Sequence, residues 1–124
     1  MHPIKILVVD DDNRVRNATV NHLTKCSDLK VVGVASNGLE AISQFKDISP
    51  DVVLLDISMP VMNGIDAART LLAKDRNTRI IILSAMLTPL HLEACLSVGV
   101  VDCIPKEKLY AELVPAIRRA AVHQ

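Results

Sequence analysis

The chain has 124 residues, half of them apolar, with 14 lysines and arginines against 14 aspartates and glutamates. That is room for one domain with a real core, and composition excludes a disordered or fibrous chain. A zero net charge lacks the basic face a dedicated nucleic-acid binder needs, and with only Phe45 and Tyr110 as aromatics there is no base-stacking platform.

Short apolar runs bounded by charge predict strands at 4–9, 30–34, 51–55, 79–83 and 100–104. Runs this short and this continuous suit strands covered on both faces. The segments between them carry helical spacing. Val15, Ala18, His22 and Cys26 recur at three and four, then Ala41, Phe45 and Ile48, then Ile65, Ala68 and Leu72. Leu92 and Leu96 continue the series, and Leu109, Leu113, Ala116, Ile117 and Ala120 end it. Asn37 stands three residues before Glu40 as a capping pair, and Thr88-Pro89 reads as a helix start. Gly99 reads as a helix stop, and Arg118 and Arg119 complement the dipole of the last helix, which carries Pro115 inside it. Asp12 reads as a helix cap. No apolar run approaches the roughly 18 residues that span a bilayer. The first one ends at Asp10, too early for a signal peptide, so no membrane contact is expected. Cys26, Cys95 and Cys103 lack the spacing of a disulfide framework or a zinc site. They read as reduced thiols of a cytoplasmic protein.

Five strands alternating with five helices predict an α/β fold with a parallel sheet, and ligands bind beyond the carboxyl ends of such strands. Asp10 and Asp11 follow the first strand, Asp56 the third and Ser84 the fourth, and Lys106 comes just after the fifth. Crowded carboxylates repel one another, and a divalent cation resolves the conflict. Oxygen ligands without histidine favour Mg²⁺, or Mn²⁺ in its place. A hydroxyl and an ammonium beside the metal complete a site for a phosphoryl group, with a carboxylate as nucleophile.

These residues carry a resemblance. Ile6-Leu7-Val8-Val9-Asp10-Asp11, Leu54-Leu55-Asp56-Ile57-Ser58-Met59-Pro60, Asn63-Gly64, Ile82-Leu83-Ser84-Ala85 and Lys106 resemble, in order and spacing, the receiver domains of two-component response regulators. The likeness covers essentially the whole chain and is strongest to receivers of the NarL/LuxR type. It implies a single receiver domain over 1–124 with a doubly wound, flavodoxin-like sheet of order 2-1-3-4-5. It implies that Asp56 takes a phosphoryl group from a sensor histidine kinase or a histidine phosphotransfer protein. In the same reading Asp10, Asp11, Asp56 and the backbone carbonyl of Ser58 hold Mg²⁺, Ser84 is the switch hydroxyl and Lys106 pairs with the phosphoryl group. The domain would act as a switch rather than an enzyme, with a phosphorylation-dependent homodimer as one further partner. Receivers of this type usually precede a helix-turn-helix domain, which implies control of transcription through a part these residues do not hold.

Two positions depart from the pattern. Cys103 stands where many receivers have an aromatic residue three before the lysine, so no inward aromatic flip is expected. Pro105 precedes Lys106 and Glu107 follows it where many receivers have proline, so the lysine is expected to sit differently, with no cis bond after it. Leu87, Leu90 and Tyr110 are the apolar contacts expected on the output face. A phosphatase of the haloacid-dehalogenase type is the competing reading, resting on Asp10-x-Asp12; a receiver-shaped module that is never phosphorylated is another.

Overall fold

The computed structural model describes residues 2–59, 61–85 and 87–122. Pro60 of the Met-Pro motif and Met86 of the loop after the fourth strand lie outside them. In chain order the elements are β1 (Ile4–Val9), α1 (Asn13–Thr24), β2 (Leu29–Ala35), α2 (Gly38–Ile48), β3 (Val52–Asp56), α3 (Gly64–Lys74), β4 (Arg79–Ser84), α4 (Pro89–Val98), β5 (Asp102–Pro105) and α5 (Leu109–Val122). A single 3-10 turn, Lys106–Lys108, joins β5 to α5.

The strands form one parallel sheet in the order β2-β1-β3-β4-β5. The expected order 2-1-3-4-5 holds. Leu7, Val9, Val53, Leu55, Ile80 and Ile82 point to one face, where Ala41, Phe45, Ala67, Leu71 and Cys95 of α2, α3 and α4 cover them. Ile6, Val8, Leu54, Ile81 and Leu83 point to the other, under Leu23 of α1 and Leu113 and Ile117 of α5. The three central strands are buried on both faces, which is why their sequences run apolar without alternating.

The caps follow their residue types. Asp12 accepts from the amides of Arg14 and Val15, Asn37 from Glu40, Asn63 from Asp66 and Thr88 from His91. Gly99 ends α4 in the left-handed region at φ 107°. Other details differ from the pattern read along the chain. The inward face of α1 centres on Thr19 and Leu23, with Val15, Ala18 and His22 flanking it and Cys26 beyond the helix. Leu92 and Leu96 face outward, and Cys95 is the buried residue of α4. β5 starts at Asp102: Val100 is buried, but the chain there is still turning, with the Val101 amide donating to the Ile80 carbonyl. Arg118 and Arg119 reach outward to Asp28 and Asp102 at 2.9 and 3.5 Å.

Candidate functional site

Parallel strands deliver their last residues to one edge of the sheet. β1 runs into Asp10 and Asp11, β3 ends on Asp56, β4 ends on Ser84 and β5 hands over to Lys106. The β4–β5 ladder sets Ser84 opposite Pro105, the residue before Lys106, so Ser84 and Lys106 lie at neighbouring strand ends.

The carboxylates converge. Asp10, Asp11 and Asp56 each place an oxygen within 4.8 Å of the others, with Asp10 and Asp56 buried and Asp11 exposed. Lys106 closes the group, its Nζ 3.0 Å from Asp10 Oδ2 and 3.3 Å from Asp56 Oδ2. Glu107 in place of proline therefore does not carry the ammonium away from the carboxylates. Asp10 Oδ1 accepts from the Asp12 amide at 2.9 Å, and Asp56 Oδ1 from the Ser58 amide at 3.3 Å. Asp10 Oδ2 is buried, with the Lys106 ammonium 3.0 Å away. Ser58 is exposed and touches the cluster through its N–H, and Ser84 is buried.

The electrostatics follow from the crowding. Burial pushes the Asp56 carboxyl up to about 6 from its ordinary 3.8, the charge of Asp10 adds to the rise, and Lys106 opposes it. Burial alone would lower the Lys106 pKa, but hydrogen bonding and charge from Asp10, then Asp56, outweigh it and raise it. One ammonium for three carboxylates leaves the group short of positive charge. The donors are all oxygens, and one of them is a buried carboxylate oxygen whose near partner is that single ammonium. That set fits a hard divalent cation.

Two residues that sequence reasoning did not assign to the site shape it. Gly64, marked in the sequence only as part of the Asn63-Gly64 motif, donates its amide to the Ile57 carbonyl at 3.0 Å. A Cβ there would lie 2.3 Å from the Asp56 carbonyl oxygen and 2.8 Å from Ile57 Cα, so only glycine lets α3 approach the strand end. Arg16 sends its guanidinium back to the Asp10 carbonyl at 2.6 Å and to Asn13 Oδ1. The Asn63-Gly64 motif marks the glycine without its role, and spacing does not flag Arg16. Asp12, by contrast, is spent on the α1 cap, so Asp10 and Asp12 do not work as a nucleophile pair. Tyr110 packs edge-on against His22 of α1, ring centroids 4.9 Å apart.

The family model for the response regulator receiver domain matches residues 6–118. The chain is 36% identical over 118 residues to the chemotaxis protein CheY of Listeria monocytogenes, covering 95% of this chain and 98% of that one. Among solved structures it superposes on the signal receiver domain of the putative response regulator NarL from Mycobacterium tuberculosis. The TM-score there is 0.94 at 29% identity, over 100% of both chains. It also superposes on a chain of the CheX-CheY-BeF3-Mg²⁺ complex from Borrelia burgdorferi. The TM-score there is 0.89 at 28% identity, over 95% of this chain and 89% of that one.

Proposed function

The chain belongs to the response regulator receiver domains, and from that premise we propose that Asp56 is its phosphoacceptor and that Asp10, Asp11, Asp56 and the Ser58 carbonyl hold Mg²⁺. The observation that carries this reading is the convergence of three carboxylates on Lys106 at one sheet edge. A carboxylate oxygen of Asp56 attacks the phosphorus of a partner's phosphohistidine. The phosphorus–nitrogen bond breaks, and an acyl phosphate forms on Asp56. The metal supplies charge neutralisation for the incoming anionic donor. Lys106 offers its ammonium to a phosphoryl oxygen, having only to turn from the carboxylate it already meets at 3.3 Å. Ser84, on the neighbouring strand end, donates its hydroxyl to another oxygen. Drawing Ser84 inward pulls Ala85 and Leu87, and with them the start of α4, which shifts an existing equilibrium rather than creating a new state.

The partners follow from the chemistry: a sensor histidine kinase or a histidine phosphotransfer protein as donor. Leu90, Leu96 and Val101 are exposed along α4 and the turn before β5, and they supply the apolar part of an output surface. A phosphorylation-dependent homodimer and control of transcription are the outcomes that surface would serve. The Borrelia burgdorferi relative, captured with BeF3 and Mg²⁺, supports the metal-dependent reading by analogy.

The test is the intact mass of the protein after incubation with acetyl phosphate and Mg²⁺. One phosphoryl mass is expected on the native protein. None is expected on Asp56→Asn, or on the native protein in excess chelator. A stable phosphoryl mass on Asp56→Asn at the native rate would show that another residue accepts it, Asp10 being the alternative a phosphatase reading requires.

A further inference from the structure

The turn between β1 and α1 carries two of the three clustered carboxylates, and a side chain outside the cluster holds that turn. Arg16 lies in the first turns of α1 and bends back toward the strand it follows. Its Nη1 donates to the Asp10 carbonyl at 2.6 Å, and its Nη2 donates to Asn13 Oδ1. On its other side, the Asp10 amide donates to the Ala35 carbonyl of β2 at 3.1 Å. The sheet thus fixes one edge of the Asp10 backbone and the guanidinium fixes the other. The peptide plane held this way is the one joining Asp10 to Asp11. If it rotates, Asp11, the exposed member of the cluster, swings away from Asp10 and Asp56. A guanidinium suits the task because its planar fork presents two donors from one rigid group.

We propose that Arg16 is a positioning residue for the acidic pair: it locks the Asp10–Asp11 peptide so that both carboxylates meet a divalent cation together with Asp56. The proposal rests on the metal reading given above. Charge alone predicts the opposite effect, because a cation beside a cation site repels the incoming ion. A bystander arginine would weaken Mg²⁺ binding, and its removal would strengthen it. The sign of the change therefore separates positioning from mere proximity.

The experiment is a Mg²⁺ titration of the whole chain followed by amide NMR, with no phosphodonor present. Arg16→Ala is expected to bind Mg²⁺ about tenfold more weakly, the scale on which groups that orient metal ligands act. Arg16→Lys is expected to fall between, because one ammonium cannot bridge both acceptors. Arg14→Ala removes the same charge from an exposed neighbour on the same helix and is expected to bind as the native protein does. Unchanged or tighter Mg²⁺ binding in Arg16→Ala overturns the proposal. Should Arg16→Ala lose the amide dispersion of a folded chain, Arg16→Lys decides, and native affinity there overturns it. Asp11→Ala guards the premise: Mg²⁺ binding that survives that change refutes the metal reading itself, whatever Arg16 does.

Discussion

Neutralising Asp56 should stabilise the metal-free protein. In the folded state its carboxyl is pushed up to about 6 by burial first and by the charge of Asp10 second, against 3.8 for the free side chain. A folded pKa above the unfolded one means that folding favours the protonated form. The stability this group contributes is complete below pH 3.8 and is lost as pH rises through 6. Each pH unit in that window costs about 1.4 kcal/mol, so the ionised Asp56 costs the fold about 3 kcal/mol at pH 7.5. Asp56→Asn keeps the shape and removes the charge, and Lys106 retains Asp10 at 3.0 Å. The variant should therefore be more stable than the native protein by up to about 3 kcal/mol at pH 7.5, and Tm should rise by about 10 °C in a domain of this size. Near pH 4.5 most of the folded native protein already carries the proton, and the advantage should shrink to about 1 kcal/mol. Urea unfolding followed by circular dichroism at the two pH values measures both differences. Mg²⁺ gives an internal control, because it should stabilise the native protein more than Asp56→Asn. An Asp56→Asn variant no more stable than native at pH 7.5, or one whose advantage does not shrink toward pH 4.5, would refute the reasoning.

The other expectations rest on separate contacts. Gly64→Ala would drive a Cβ into the Asp56 carbonyl at 2.3 Å, so it should cost about 2–3 kcal/mol in urea unfolding and slow acetyl phosphate labelling by displacing the strand end. Val61 is a β-branched residue at φ 72° in the loop after β3, where Asn is tolerated far better; Val61→Asn should stabilise by about 1 kcal/mol, and a loss of stability would count against strain at that position. Lys106→Ala removes the shared cation of Asp10 and Asp56, so it should destabilise the metal-free protein at pH 7.5 by about 1–3 kcal/mol, with Mg²⁺ restoring most of the loss. Beryllofluoride should shift the amides between Ser84 and Lys106 in the native protein and leave them largely unshifted in Lys106→Ala; equal shifts in both would remove the lysine from the switch. Hydrogen exchange with and without beryllofluoride should change in β4, α4 and β5, and changes confined to α1 and α2 would place the output elsewhere.

The sheet was legible because burial on both faces leaves a signature that survives in one dimension: an unbroken apolar run ending at a polar residue. Asp10, Asp56 and Ser84 stood out by that rule, and the topology made their convergence independent of loop detail. Helix faces were read less well, for identifiable reasons. Thr19 looks like a surface residue, yet it is buried because its hydroxyl donates to the Val15 carbonyl at 2.7 Å within its own helix. Leu92 and Leu96 look like core residues, but α4 is apolar around much of its circumference, so its pattern does not say which side faces the sheet. Val100 extended the fifth run by packing as a turn residue rather than as part of the ladder. The roles of Gly64 and Arg16 were out of reach for a different reason. The need for glycine arises where α3 meets the end of β3, and the role of Arg16 depends on a long side chain turning back along its own helix. Neither is a periodicity.

The absence of an aromatic ring at Cys103 changes how a charge event at Asp56 can travel. Cys103 lies opposite Ile82 in the β4–β5 ladder, and its side chain joins the cluster that holds Cys95 of α4. Burial holds the Cys103 thiol up to about 12, with Cys95 and Asp102 adding to the rise, so it remains a neutral thiol through the physiological range. It is a small uncharged side chain that neither swings between pockets nor answers to charge. What would connect the proposed phosphoryl site to α4 is then the end of the ladder itself. Ser84 and Pro105 are paired, and Lys106 follows directly. In the proposed function a new anion on Asp56 would act on the two strand ends at once, through a hydroxyl on one and an ammonium on the other. Any displacement that draws Ser84 inward must be taken up by the segment running to Thr88, whose side chain caps α4. The cap makes that transfer stiff, since Thr88 accepts from the His91 amide at 3.1 Å and cannot move without tilting the first turn of α4. Under the proposed reading the helix start would do the work that a rotating ring does in receivers with an aromatic at that position, and the movement would reach the surface at the exposed Leu90 on that first turn.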